Sequence, residues 1–400
     1  SAILKYHCTE LSRKVSNDAK DEQGGKGVMI VPHNYLFRVY MATPNTITVD
    51  VANILTSSLI IYGQGAIRCH PFVLRELQAA GDDELSRGLF EFDEALFVTI
   101  GYAISNVARS FLLALTHAKF SRVPLNTPTR RYYQNINRYS AAFALASDFA
   151  MLTLGGDLKK RELLSARLGD ILSAMYLASC VLKHFENQGR RATDLPLVEW
   201  SVRTLMYQAQ ESLHEFLLNF PNRTVSWLLR FFMFPRGRTY KNPSDHIGSR
   251  VVSLVTTPGD SRERLSEFAY TTLEAGNPLG KLQEALELAR EHGPLEKRLR
   301  QARKEGLIDS DYLGLQISEA EKAQVISKAE ANSLRDYHEK VSALLDVDDF
   351  APEEMVRQPA DSVPLPVEKP PKEKTNRKTQ AAKKKAATKK KASKKKSAKT

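Results

Sequence analysis

The stretch "DELSRGLFEFDEALFVTIGYAISNVARSFLLALTHA", residues 83–118, decides the fold. Leu85, Leu89, Phe92, Leu96, Ile100, Ala103, Val107, Phe111 and Leu115 return every three or four residues. That spacing puts them on one stripe of a single long α-helix, where a strand would need a step of two. A stripe of this length needs partners of its own kind, and the flanking sequence supplies them. Helices are predicted over 1–22, 35–41, 51–62, 128–154, 157–187 and 195–220. Thr127 with Pro128, Asp157, and Asp194 with Pro196 read as their starts. A short apolar helix follows in "NRTVSWLLRFFMFPRGR", then more charged ones at 243–256, 260–270, 277–291, 294–304 and 318–346. Only "GVMIV" and "TITV" suggest strands, too little for a sheet. Long amphipathic helices on short loops make an all-α helical bundle. The expected division is a first helical domain at 1–155, a second helical domain at 156–350, and a disordered linker and basic tail at 351–400.

The charge is unevenly placed. The chain carries +12 overall, but residues 369–400 alone hold fifteen Lys/Arg against Glu373, which leaves −2 on residues 1–368. The basicity therefore belongs to the tail, which binds polyanions by charge alone. With no aromatic residue for stacking, its expected contacts are anionic membrane or non-specific nucleic acid, unless it only solubilises. Cys8, Cys69 and Cys180 form no CxxC, which argues against a disulfide framework and a zinc site. No metal site is expected. This sparse cysteine usage fits a cytoplasmic protein, with peripheral attachment to an inner membrane as the alternative. No run reaches about 18 apolar residues, so no spanning helix is expected. The helical pattern is already under way at Ser1, so we expect an N-terminal part upstream.

Five blocks carry a family resemblance. They are "CTELSRKVSNDAKDEQGGKGVMIVPHNYLFRVY" (8–40), "ITVDVANILTSSLIIYGQGAIRCHPFVL" (47–74), "LGGDLKKRELLSARLGDILSAMYLASCVLK" (154–183), "DLPLVEW" (194–200) and "LLNFPNRTVSWLLRFFMFPRGR" (217–238). Together they resemble the C-terminal part of the acyl-CoA dehydrogenase family, nearest its large proteobacterial fatty-acid-oxidation branch with an extra C-terminal helical domain. The resemblance implies FAD as cofactor, an acyl-CoA thioester as substrate, an electron-transfer flavoprotein as acceptor, and a homodimer. It implies that Asp50 stands where the family keeps its catalytic carboxylate. That carboxylate removes the α-proton of the thioester while the β-hydrogen leaves as hydride to the flavin. It also implies that the turn made by Gly24, Gly25 and Gly27 lets backbone approach the flavin of a neighbouring subunit.

The match at the base is imperfect. The branch has a pattern similar to V-E-G-A-N-I-L-T-R, and this chain reads Val49-Asp50-Val51-Ala52-Asn53-Ile54-Leu55-Thr56-Ser57. Glu has become Asp, Gly has become Val and Arg has become Ser. Asp is one methylene shorter, about 1.5 Å of reach. Taken alone, Asp50 ahead of an apolar run is simply a helix N-cap. A non-catalytic helical interaction module descended from the family, tethered by its Lys-rich tail, is therefore the rival reading.

Other groups read as structural. His70 has no second ligand at i+3 or i+4. Arg130, Arg131 and Arg138 with Tyr132, Tyr133 and Tyr139 read as an inter-helix or solvated face, with a CoA phosphate or nucleic acid as the alternative. Trp227, Phe231, Phe232 and Phe234 are expected to bury against the bundle, with an interfacial helix as the alternative.

Overall fold

Where the 3.6-residue period is sustained, the chain is helical. The computed structural model describes residues 1–30, 33–66, 70–123 and 127–352; Cys69 and the Lys-rich tail lie outside them. Fourteen α-helical segments follow one another with no strand among the described residues. They are α1 (Ala2–Glu22), α2 (Phe37–Thr48), α3 (Asn53–Gln64), α4 (Val73–Ala80), α5 (Leu85–Leu115), α6 (Arg130–Leu154) and α7 (Glu162–Asn187). After them come α8 (Leu195–Leu218), α9 (Arg223–Met233), α10 (Asp245–Thr256), α11 (Asp260–Ser266), α12 (Pro278–Lys304), α13 (Leu313–Lys322) and α14 (Lys328–Leu345).

The main core lies between α6, α7, α8 and α9. Tyr139, Leu145, Leu168, Ile171, Leu182, Met206, Leu213, Phe216 and Leu229 are buried in it. Small residues let these helices approach closely: Ala142, Ala146 and Ala150 on α6, and Ala174 and Ala178 on α7. The division expected at 155/156 falls inside this core, which draws on both sides of it. Gly169 of α7 faces α3, where a Cβ would stand 3.3 Å from the Ser57 carbonyl oxygen. Residues Thr56–Gln64 of α3 are wound as a π-helix, a wide coil often found at functional sites. A second core joins α12, α13 and α14 through Leu299, Ile317, Ala320, Ala331 and Leu334.

Several boundaries differ from expectation, each for a local reason. The helix expected to stop at Met41 runs through Pro44 to Thr48. Thr43 and Thr48 hydroxyls bond back to the Val39 and Pro44 carbonyls at 2.9 and 3.0 Å and hold that coil. Thr129, not Thr127, precedes α6; the two hydroxyls are 2.8 Å apart. Asp157 does not cap α7 but sits in a 3-10 turn, paired with Lys160 at 2.9 Å. The segments expected at 277–291 and 294–304 form one helix through Pro294, because Leu288, Leu295 and Leu299 all belong to the second core. The helix expected at 318–346 is two helices. Gln324, at φ 56, turns the chain, and Ser327 with Glu330 restarts it by a reciprocal capping box.

Exposure also departs from the simple stripe. On α1, Leu4, Leu11 and Val15 face outward, while Lys5, Thr9 and Ser16 line the inner side. By length and composition α5, α6 and α7 are each apolar enough to cross a membrane, contrary to the expectation from continuous runs. Interspersed Gly, Thr and Ser break the runs without adding charge. About half of the relevant stretch of α6 and α7 is packed inside the bundle (44% and 50%), against 11% for α5. Phe234 is buried and Phe232 packs on the main core, as expected, but Trp227 (70%) and Phe231 (51%) are exposed, which corrects the expectation for those two. Phe231 stacks on Phe111 of α5 with centroids 5.5 Å apart.

Candidate functional site

Asp50 does not cap a helix. Two residues separate it from the start of α3, which is preceded by Ala52 and has no side-chain cap. Asp50 instead occupies a tight turn with φ 66, exposed to solvent, after the extended Val49. Left-handed backbone disfavours most L-residues but admits Asp and Asn, so the residue type suits the turn.

The turn is held from behind. Lys5 of α1 sends its ammonium to the carbonyls of Ile47 and Val51, at 3.1 and 2.8 Å, and to Asn53 Oδ1 at 2.7 Å. Asn53, buried, donates in turn to Thr9 Oγ1 at 2.9 Å and Glu10 Oε1 at 2.8 Å. Lys5 and Asn53 thus bracket Asp50 and leave its carboxylate facing outward. Their part was missed in the sequence. The signal for it was a polar i, i+4 pair, Lys5 and Thr9, recurring opposite the apolar stripe.

The glycine turn sits at the other end of α1. Gly24 adopts φ 57, and a Cβ there would meet nothing within 4 Å. At Gly25 the nearest atom would be a Val347 methyl at 3.9 Å. Gly27 is different: a Cβ there would lie 2.4 Å from the Lys20 carbonyl oxygen, so this glycine is required by packing. The open backbone at Gly24 and Gly25 fits the close approach of a bulky group such as FAD. Lys26 is buried and turned away, donating to the Leu344 carbonyl. From Lys5 to Glu22, α1 rises about 25 Å, so the structure does not bring the glycine turn to Asp50.

Asp170 of α7 is a second titratable group in this region. Burial, with help from Glu215, pushes its carboxyl up to about 6 against the pull of Arg167. Asp170 follows Gly169, the residue packed on the Ser57 carbonyl, and both Asp170 and the Ser57 hydroxyl act on the Tyr6 phenol.

The remaining groups are structural in their contacts. His70 Nδ1 accepts the backbone N–H groups of Phe72 and Val73 at 3.3 and 3.2 Å. Its proton is then on Nε2, which donates to Asp148 at 3.1 Å, and Asn106 Nδ2 donates to the other Asp148 oxygen at 2.8 Å. Arg138 is buried and donates to Thr239 Oγ1 at 3.2 Å, and Tyr139 is buried and donates to Gln210 at 3.2 Å. That half of the basic-aromatic face is sealed between helices. No cluster of three metal-ligating side chains occurs among the described residues.

A family model described as acyl-CoA dehydrogenase, C-terminal, bacterial type, matches residues 67–350. No solved structure matches the chain. The matched span begins after Asp50 and the glycine turn and takes in every helix from α4 to α14. With most of its length inside that match, the chain belongs to the bacterial-type acyl-CoA dehydrogenase C-terminal family.

Proposed function

We propose that this chain serves FAD-dependent α,β-dehydrogenation of acyl-CoA thioesters in fatty-acid β-oxidation, with Asp50 as the base. The observation that carries the reading is an exposed carboxylate on a left-handed turn, clamped from behind by Lys5 at the position where the family resemblance puts the base. Asp50 takes the α-proton as the Cα–Cβ double bond forms, and the β-hydrogen departs with its electron pair. Gly24 and Gly25, whose backbone is open, would hold part of FAD, which would supply the hydride acceptor, with an electron-transfer flavoprotein as the partner for reoxidation. Because the glycine turn and Asp50 stand at opposite ends of α1, we assign them to two different active sites of a homodimer, each completed by the other copy. Gly27 holds the shape of the turn.

Asp50→Asn is the direct test, since Asn tolerates the same backbone and the same volume. The assay uses the full-length protein, a long-chain acyl-CoA and an artificial electron acceptor. Loss of at least about a hundredfold in kcat with the fold retained is expected. Unchanged turnover would reject Asp50 as the base. A second reading, a non-catalytic interaction module, draws on the changes at Asp50, Val51 and Ser57. It predicts no turnover by the parent protein either.

A further inference from the structure

Away from Asp50 and the glycine turn, α3, α4, α5 and α6 enclose a cavity of about 710 Å³. Its walls are Leu59, Val73, Leu77, Leu96, Ile100 and Phe149. The volume falls within the range of ligand sites, and the lining is apolar with a few polar groups, as such sites are. Several of its wall residues remain wet, among them Leu77 (54% exposed), Ile104 (65%) and Leu152 (78%). Apolar surface of this kind gains from being covered.

The polar groups define what would cover it. Both carboxylates of the lining are already engaged. Asp148 is held by His70 and Asn106, and Glu76 accepts the Thr99 hydroxyl at 2.5 Å. Ser165 is different. It is 2% exposed, lines the cavity, and its hydroxyl has no hydrogen-bond partner among the described residues. A buried hydroxyl left unpaired costs free energy that a ligand's polar atom, or a water carried in with it, would recover. Among the described residues Lys159 is the one Lys or Arg of the lining. It forms no ion pair among the described residues, whereas its neighbour Lys160 is paired with Asp157.

From these features we infer an accessory site for an aliphatic chain bearing one anionic head group, such as a medium- or long-chain carboxylate. The chain lies between α4 and α5, and the head is held by Lys159. The site is separate from the reaction assigned to Asp50, so it stands or falls apart from that assignment.

The test uses the whole 400-residue chain and three probes: decanoate below its micelle concentration, decanol, and phosphatidylcholine vesicles. Calorimetry or ¹³C NMR of labelled decanoate should give saturable one-to-one binding. Leu152→Asp sets a charge on an exposed wall position without disturbing the core, and should weaken decanoate about tenfold or more. Lys159→Glu should weaken decanoate by at least about threefold and leave decanol unchanged. Three results would overturn the inference: no saturable decanoate binding, equal binding by Leu152→Asp, or the same loss of decanol and decanoate in Lys159→Glu. Vesicle binding without decanoate binding would instead make this wall a bilayer-facing surface, and would also overturn it.

Discussion

Lys5 Nζ stands 2.7 Å from Asn53 Oδ1, and with the carbonyls of Ile47 and Val51 it finds one acceptor for each of its three protons. No proton of the ammonium is left over, and the chain on both sides of Asp50 is tied to α1. Lys5→Met should therefore strand two carbonyls and an amide oxygen. We expect a loss of about 2 kcal/mol, from the usual worth of hydrogen bonds to charged groups. Hydrogen exchange across residues 47–56 should accelerate in the variant while α6 to α8 stay protected. Uniform acceleration over the whole chain would count against a local clamp.

The backbone at Asp50 makes Glu, the residue the resemblance sets there, a poor replacement. With φ 66, Asn should fit as well as Asp, and Glu should cost about 1 kcal/mol. Thermal unfolding of Asp50→Asn and Asp50→Glu beside the parent would rank them. Equal midpoints for all three would mean the turn is not strained by a longer side chain. If Asp50→Glu nevertheless raises turnover, reach outweighs strain at this position.

Gly25 and Gly27 are three-dimensionally unalike though two residues apart. Gly27→Ala forces a Cβ to 2.4 Å from the Lys20 carbonyl oxygen and should cost about 2 kcal/mol through backbone shifts. Gly25→Ala meets only a methyl at 3.9 Å and should stay within about 0.5 kcal/mol of the parent. In the full-length protein the order should invert for cofactor retention. Gly25→Ala, although stable, should lose FAD on gel filtration, monitored by flavin absorbance. Full retention by that variant would remove the glycine turn from the cofactor site.

Asp170 links stability to pH in a direction that differs from the usual carboxylate. Its folded value is raised from 3.8 to about 6, so the folded state holds the proton more tightly than the unfolded one. Stability from this group is full below about pH 3.8 and is lost as pH rises to 6, by up to about 3 kcal/mol. Asp170→Asn should accordingly raise the melting temperature at pH 7.5 and leave it nearly unchanged at pH 3.5. The resemblance sets an Arg where this chain has Ser57, whose carbonyl packs on Gly169. Ser57→Arg should pair with Asp170, lower its pKa and flatten the same pH profile. A parent whose stability is flat between pH 4.5 and 7.5 would refute both expectations.

The sequence by itself determined that the protein is helical, where most of its helices run and which family it resembles. The reason is local: 3.6-residue periodicity, caps and turn residues act within a few positions of themselves. The helix stop at Met41 and the restart at Ser327 were misjudged for the same reason. Hydroxyl back-bonds around Pro44 and the left-handed Gln324 compete with the periodic signal on its own scale. Only the tertiary structure decided which faces meet. It turned the apolar stripe of α1 outward and set Lys5 against a turn more than forty residues away, at Val51. Asp50 became an exposed carboxylate on a left-handed turn where the sequence offered a helix cap. The glycine turn and Asp50, close in the chain's list of motifs, came to lie at opposite ends of one rigid helix. Residue spacing along a chain does not encode such distances, because they depend on how separate helices pack.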